Sequence, residues 1–189
     1  MVHINNTEMM RHIILCLMAL LMICSCSSQE IKEGDIIFQT SQSKQSPLIA
    51  LATKSDKTHC GIIVEKNNEL YVLETLGTIK LTPLKTFIDR GAFGRYWVKH
   101  IHGNHKVRYK KYLGIPYDLA FKMNNSRYYC SELVYTIYKE QFGIELCKPR
   151  QIKDYNILGM AKVLKRRGMN IEQKVVAPSD LYESDYFKR

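Results

Sequence analysis

The sequence predicts a single α+β domain, with antiparallel strands in its first half and helices in its second half. The chain has 189 residues, a length that suits one domain. Its 46% hydrophobic and 24% charged residues are ordinary for a globular protein. Short β-branched runs separated by turn residues fill the first half, whereas the second half contains a clear amphipathic helix pattern.

The first half consists of short apolar runs bounded by turn signals. We predict a turn and strand at 34–39, strands at 59–65, 70–75, 78–81 and 95–100, and short helical segments at 47–53 and 83–89. Asn67-Asn68 is a hairpin turn signal between two of these strands. The two strands then pair antiparallel, with paired residue numbers that sum to about 135. The predicted sheet is mostly an antiparallel meander.

The second half has helical periodicity. We predict helices at 106–113, 131–142 and 157–167, and a last strand at 174–177 that ends before Pro178. The pattern is strongest at 131–142, where the apolar stripe comprises Leu133, Val134, Ile137, Tyr138 and Phe142. Gly143 supplies a stop for this helix.

The N-terminus has the order of an export signal. Arg11 precedes the apolar run 13–24, which is shorter than the roughly 18 residues of a spanning helix. Ile23-Cys24-Ser25-Cys26 is typical of a bacterial lipoprotein box. We therefore expect a signal peptide at 1–25, lipidation of Cys26, a tether at 26–33 and one domain at 34–189, with the protein anchored in a bacterial cell envelope. The alternative is an ordinary signal peptide that is cleaved nearby.

The cysteine count and the charge narrow the function classes. Cys60, Cys130 and Cys147 remain after the leader, an odd number that predicts at least one free thiol in an exported protein. The net charge of +10 permits a nucleic acid or anionic lipid as partner. The basic helical run at 162–167 is more typical of a solvated face, so we expect no nucleic-acid binding.

Cys130 lies where a nucleophile is commonly placed. It directly precedes the predicted helix 131–142, and the free N–H groups at a helix N-terminus favour a thiolate. The same groups can stabilise the oxyanion that forms when a thiolate attacks a carbonyl. The alternative is a small buried core residue, since free Cys is among the most buried residue types.

His59 and Glu74 are candidates for a base and its orienting carboxylate. His59 begins a buried strand, and the hairpin register brings Glu74 within one or two positions of it on the neighbouring strand. The alternative for His59 is a structural histidine. Cys60 should point to the opposite face of the strand from His59, which indicates a core role. The cluster of His100, His102 and His105 suits a solvated loop better than a metal site.

Six segments together resemble a known group, the permuted papain-like hydrolases of the NlpC-type superfamily, in their YiiX-like branch. They are Gly34-Asp35-Ile36-Ile37-Phe38, Thr58-His59-Cys60-Gly61-Ile62, Val72-Leu73-Glu74, Gly114-Ile115-Pro116-Tyr117-Asp118, Tyr129-Cys130-Ser131-Glu132-Leu133-Val134 and Val176-Ala177-Pro178-Ser179-Asp180-Leu181. The order His, acid, Cys is that of the permuted family. The resemblance implies a circularly permuted papain-like fold, an antiparallel sheet or small barrel packed against helices.

The resemblance also implies roles for particular residues. Cys130 would be the nucleophile, His59 the base and Glu74 the orienting carboxylate, and no metal or cofactor would be needed. We expect substrate contacts from four further residues: Tyr117, Asp118, Gln39 and Tyr129.

The leading hypothesis is an envelope-anchored cysteine peptidase or amidase that acts on cell-wall peptides or N-acyl amino compounds. One alternative is a lipid-directed thiol acyltransferase or lipase, which a deep apolar groove beside Cys130 would favour. Another is a non-catalytic lipoprotein that binds a peptide or amino acid. The polar segment 40–56 is long enough to gate the site.

Overall fold

A computed structural model describes residues 30–188 of the chain. The predicted signal peptide, the lipidated Cys26 and most of the tether lie outside this range. No helix within the described range is long and apolar enough to cross a bilayer.

A five-stranded antiparallel sheet forms the first half. Its strands are β1 (Ile36–Ser41), β2 (His59–Lys66), β3 (Glu69–Leu76), β4 (Thr78–Pro83) and β5 (Gly91–Lys99). Their spatial order is β4-β3-β2-β1-β5, so β1 to β4 form the predicted meander and β5 returns to pair with β1. Ile62 lies opposite Leu73 and Ile63 opposite Val72, which confirms the predicted hairpin register.

The helices are short except for one. They are α1 (Ser46–Thr53), α2 (Leu84–Asp89), α3 (Cys130–Phe142), α4 (Ala161–Arg166) and α5 (Pro178–Tyr182), and single 3₁₀ turns occur at Lys110–Tyr112, Ile152–Asp154 and Asp185–Lys188. A small two-stranded sheet joins β6 (Arg150–Gln151) to β7 (Lys174–Val175). The mixed α+β architecture is the predicted one.

Both faces of the sheet are buried, which accounts for the unbroken apolar run in β2. Phe38 and Ile62 pack on one face in the same cluster as Leu133 of α3. Ile63 faces the other way and packs with Phe87 of α2. This arrangement places the N-terminus of α3 beside the first residues of β2.

The predicted helix at 106–113 is wrong, because only Lys110–Tyr112 forms a helical turn. The backbone groups of Arg108 are bound by a side chain of α3 instead. The Arg108 N–H donates to Gln141 Oε1 at 2.9 Å, and Gln141 Nε2 donates to the Arg108 carbonyl at 3.2 Å. A tertiary partner thus replaces the intrahelical hydrogen bonds that the sequence pattern suggested.

Other boundaries differ from the predicted ones for local reasons. Helix α4 starts later than predicted because Gly159 has a φ of 77°, outside the helical region. Pro178 ends the extended segment and also begins α5, where Pro is favoured in the first turn. The Ala177 N–H donates to Asp180 Oδ2 at 2.7 Å and so caps this short helix.

Candidate active site

His59 and Glu74 are in direct contact. His59 Nε2 and Glu74 Oε2 lie 2.6 Å apart, and both residues are buried. Gly61 makes this approach possible, since a Cβ there would lie 2.4 Å from Val72 Cγ1 and 3.3 Å from Glu74 Cβ. The contact occupies Nε2 and leaves Nδ1 as the ring nitrogen available to a reacting group.

Glu74 is a fully buried carboxylate that is held by three neighbours. Besides His59, it accepts a hydrogen bond from Thr82 Oγ1 at 2.6 Å and two from Arg90 Nη2 at 2.7 and 2.6 Å. Burial alone would raise the pKa of Glu74, but His59, Arg90 and Thr82 outweigh it and lower that pKa to about 2. Glu74 is therefore ionised throughout the physiological range.

The His59 imidazole is biased toward its charged form. Burial acts to lower its pKa, yet interactions with Cys130 and Glu74 raise that pKa from 6.5 to about 9. The ring also stacks on Phe87, with centroids 5.8 Å apart. These contacts hold the imidazole in one orientation between a carboxylate and a thiol.

Cys130 is the first residue of α3, so its predicted position at a helix N-terminus is confirmed, and it is almost fully buried. The pKa of its thiol lies well below the ordinary value because a hydrogen bond from Cys60 and the neighbouring His59 outweigh the effect of burial. The backbone N–H groups of Cys130 and Ser131 belong to the first helical turn, where no intrahelical acceptor exists. Ser131 Oγ donates to the Val176 carbonyl at 2.7 Å and ties the helix start to the segment before α5.

The other two cysteines of the described range have different environments. Cys60 is fully buried in the main core cluster, in agreement with the predicted core role. Its contact with Cys130 was not foreseen from the sequence. Burial raises the pKa of both thiols. The pKa of Cys60 lies well above its ordinary value, and the pKa of Cys147 is about 12. Cys130 alone of these three thiols has a lowered pKa.

The four expected substrate contacts occupy different places. Tyr117 lines the cleft in front of His59 and Cys130. The Asp118 carboxylate accepts hydrogen bonds within its own loop, from the N–H groups of Ala120 and Lys122 at 2.8 Å each. Tyr129 is buried, and its hydroxyl accepts a hydrogen bond from the Val176 N–H at 3.0 Å.

Gln39, the fourth of these residues, lies opposite His59 in the pairing of β1 with β2 and is fully buried. Its side-chain amide has no hydrogen-bond partner among the described residues. Two cavities open at Cys130, a cleft that contains His59 and an apolar cavity between α1 and α4. Gln39, Asp118 and Tyr129 line neither of them. Their contact with a substrate stays a prediction.

The two cavities meet at Cys130. Gln45 and Ile49 contribute to the lining of both cavities. The first is a cleft of about 280 Å³ that contains His59 and has a mixed lining of polar and apolar side chains; we call it the polar cleft because it is the more polar of the two. The second is a cavity of about 120 Å³ between α1 and α4, with an almost entirely apolar lining. The lining of these cavities could not be predicted from the sequence, because α1 and α4 are distant from each other in the chain.

The segment 40–56, expected to be a long polar loop, contributes a helix to this site. Residues Ser46–Thr53 form α1, close to the predicted helical segment 47–53. Asn156 of the later half donates its N–H to the Ala52 carbonyl at 2.9 Å and holds α1 in place.

A protein-family model described as "Permuted papain-like amidase enzyme, YaeF/YiiX, C92 family" matches residues 30–189. The chain belongs to this family. The mixed α+β fold of the described residues agrees with this permuted papain-like family.

Two YiiX proteins illustrate the relationship. The Escherichia coli (strain K12) protein, named "Uncharacterized protein YiiX", is 36% identical, with 90% of this chain and 91% of that protein covered. The crystal structure of a YiiX from Escherichia coli O157:H7 matches with a TM-score of 0.74 and 38% identity, covering 81% of this chain and 92% of that one. Its title calls that protein a metalloprotein.

The side chains of this permuted papain-like chain do not fit a metal centre. Within residues 30–188, no group of three or more His, Cys, Asp or Glu side chains is arranged to bind a metal ion. Glu74 is already held by Thr82 and Arg90, and His100 of the histidine cluster is bound to Asp35 at 2.9 Å.

Proposed function

We propose that this protein is a cysteine amidase or peptidase that cleaves an amide bond through an acyl-enzyme on Cys130. The observation that carries the proposal is the contact of 2.6 Å between His59 Nε2 and Glu74 Oε2, beside a thiol with a lowered pKa. A raised imidazole pKa and a lowered thiol pKa together favour a thiolate and imidazolium pair near neutral pH. The family description as an amidase supports the same reaction.

In the first step, Cys130 Sγ attacks the carbonyl carbon of the substrate amide. The negative charge that develops on the carbonyl oxygen is stabilised by N–H groups in the first turn of α3. His59 donates its proton to the amide nitrogen, the C–N bond breaks, and the amine leaves. The acyl group remains on Cys130 as a thioester.

In the second step, water hydrolyses the thioester. The now neutral His59 takes a proton from the water, which attacks the thioester carbonyl. The C–S bond breaks, the carboxylic acid leaves, and the thiolate and imidazolium are restored. Glu74 stays ionised throughout and acts as a positioning residue, since it holds the imidazole and stabilises its charge.

The substrate classes that we propose are cell-wall peptides and N-acyl amino compounds. The location that we propose is the bacterial cell envelope, with the protein anchored through a lipid on Cys26. The apolar run 13–24 and the Cys26 box of the sequence support this location.

A second candidate function is acyl transfer from a lipid. The apolar cavity that opens on Cys130 favours it, because such a groove is what an acyl donor requires. The two candidates share the acyl-enzyme and differ in the bond that is cleaved and in the acceptor.

The test is a substrate screen with trapping of the intermediate. Full-length protein is mixed with N-acyl amides, lipid esters and peptidoglycan fragments, quenched in acid and digested, and the mass of the Cys130 peptide is measured. We expect an added acyl mass on Cys130 and release of the amine, and neither with Cys130→Ala. Acyl-enzyme from esters alone would favour the lipid-directed candidate, and product without any acyl-enzyme would contradict the proposed mechanism.

A further inference from the structure

Strand β2 presents a second thiol to the nucleophile. Side chains alternate along the strand, so Cys60 and Ile62 face α3, in the buried cluster that also contains Cys130. His59 points to the opposite face, where its ring stacks on Phe87. The strand therefore supplies the base from one face and a thiol from the other.

The two thiols are in direct contact. The side chains of Cys60 and Cys130 are hydrogen-bonded to each other, and the backbone N–H of Cys60 also donates to Cys130 Sγ. Cys60 is fully buried and Cys130 is almost so. This contact meets the first requirement of a disulfide, in which the two sulfur atoms close to about 2.05 Å.

Cys130 is the more accessible and the more reactive of the two thiols. It lines both the polar cleft and the apolar cavity, whereas Cys60 lines neither. Oxidants attack the thiolate form, and the pKa of Cys130 is lowered while that of Cys60 is raised. A small oxidant that enters the polar cleft therefore reacts with Cys130 first, and Cys60 lies behind it as a protonated thiol.

The third cysteine of the described range lies in different surroundings. Cys147 lines a separate cavity together with Lys148 and Asp180, and it lines neither cavity at Cys130. Its pKa is raised to about 12, so it is protonated at neutral pH. Cys147 thus serves as an internal reference for an unactivated thiol.

We propose that Cys60 and Cys130 form a site of reversible oxidation, in which a hydroperoxide oxidises Cys130 and Cys60 closes a disulfide onto it. The disulfide blocks the nucleophile and protects it from further, irreversible oxidation. The inference goes beyond the proposed hydrolysis, because it requires only the reactive thiol of Cys130 and is independent of the bond that the protein cleaves.

The reaction balances in three steps. The Cys130 thiolate attacks the terminal oxygen of the hydroperoxide, the O–O bond breaks, and the departing alkoxide or hydroxide takes the proton of the His59 imidazolium. The resulting Cys130 sulfenic acid reacts with the Cys60 thiol, which forms the S–S bond and releases water. A dithiol then reduces the disulfide by exchange, is itself oxidised to a disulfide, and returns both cysteines to the reduced state.

The experiment maps the oxidation products of the full-length protein. The protein is treated with hydrogen peroxide, its remaining thiols are blocked with N-ethylmaleimide, and it is digested without reduction for mass spectrometry. We expect a cross-linked peptide pair that joins Cys60 to Cys130 and has lost two hydrogen atoms. Dithiothreitol should remove the cross-link and restore the labelling of Cys130 by iodoacetamide.

Two variants remove the partner thiol. In Cys60→Ala and Cys60→Ser, oxidised Cys130 has no neighbouring thiol and should proceed to the sulfinic and sulfonic acids. The fraction of oxidised Cys130 that dithiothreitol does not restore should be at least about tenfold higher than in the unaltered protein. Cys147→Ala is the matched control and should still form the Cys60–Cys130 cross-link. A thermal melt of each variant verifies the fold.

Each contrary outcome identifies what is wrong. A cross-link from Cys60 to Cys147 in place of Cys130 would overturn the inference. Equal fractions of irreversibly oxidised Cys130 with and without the Cys60 thiol would overturn it, as would a Cys130 that stays reduced while Cys147 is oxidised. None of these measurements involves turnover, so failure to hydrolyse any amide would count against the proposed function alone.

Discussion

The sheet and the helices contribute to the candidate site in different ways. His59 and Glu74 lie on paired neighbouring strands and are held together by the strand register and by the hydrogen bonds that Glu74 accepts from the half-buried Arg90. The apolar cavity is assembled from segments far apart in sequence, as the bond between Gln45 and Arg167 illustrates. The sheet supplies the groups that lower the pKa of the Cys130 thiol, whereas the helices line the apolar cavity beside that thiol.

The largest effect should come from the residue where the two regions meet. Cys130→Ser replaces the thiolate by a hydroxyl that His59 cannot ionise to a comparable extent, so we expect amide hydrolysis to fall by about 10⁴-fold or more. The melting temperature should stay close to that of the unaltered protein, because the two side chains have similar size. Steady-state kinetics and a thermal melt measure both quantities. Retained hydrolysis would remove Cys130 from the role of nucleophile.

The next largest effect concerns the positioning residue in the sheet. Glu74→Gln keeps the shape but removes the charge, so hydrolysis should fall by about 10²-fold. The alkaline limit of the pH profile should also move from about 9 toward 6.5, because the imidazolium loses its carboxylate. A merely structural role for Glu74 would leave that limit unchanged.

The same substitution should change how stability depends on pH. The pKa of Glu74 is lowered from 4.5 to about 2 in the fold, so its contribution is present above 4.5 and is lost as the pH falls through 2. That shift corresponds to about 3 kcal/mol of unfolding free energy. Denaturant unfolding at several acidic pH values should show a shallower loss of stability for Glu74→Gln. Identical slopes for both proteins would contradict the lowered pKa.

A smaller effect tests the packing of the sheet beneath the site. Gly61→Ala would place a Cβ 2.4 Å from Val72 Cγ1 and 2.7 Å from the Leu73 carbonyl oxygen. Since the backbone oxygen cannot move freely, we expect a loss of about 2 kcal/mol in the free energy of unfolding. Denaturant unfolding measures it. Unaltered stability would mean that β2 and β3 can separate without cost.

The smallest effect belongs to the helical region. Ser131→Ala removes the hydrogen bond from Ser131 Oγ to the Val176 carbonyl, which lies in a buried setting. We expect a loss of about 1 kcal/mol in the free energy of unfolding. The alkaline limit of the pH profile should be unaffected, in contrast to Glu74→Gln. A shifted limit would show that the anchoring of α3 also controls the imidazole.

The difference between the sheet and the helices also explains which features of the site could be predicted from the sequence alone. The register of β2 and β3, and with it the proximity of His59 to Glu74, followed from the Asn67-Asn68 turn because hairpin pairing is local. The place of Cys130 at a helix start followed from the apolar stripe of α3.

Long-range partners were less accessible from sequence. Arg90 pairs with Glu74 across 16 residues, and a buried carboxylate only indicates that some cation must lie nearby. The segment 106–113 has helical periodicity, but the backbone of Arg108 is hydrogen-bonded by Gln141 and only Lys110–Tyr112 forms a helical turn. The apolar cavity requires α1 and α4 to face each other, and no periodicity within either helix contains that information.

The most direct test of the account is the pH dependence of Cys130 alkylation by iodoacetamide, with labelled sites mapped by mass spectrometry. We predict rapid labelling of Cys130 at about pH 6, far faster than labelling of Cys147, whose pKa is raised to about 12. His59→Ala should slow the reaction of Cys130 by at least about tenfold at that pH. The account would be contradicted if Cys130 reacted only at alkaline pH, no faster than Cys147 and equally in both proteins.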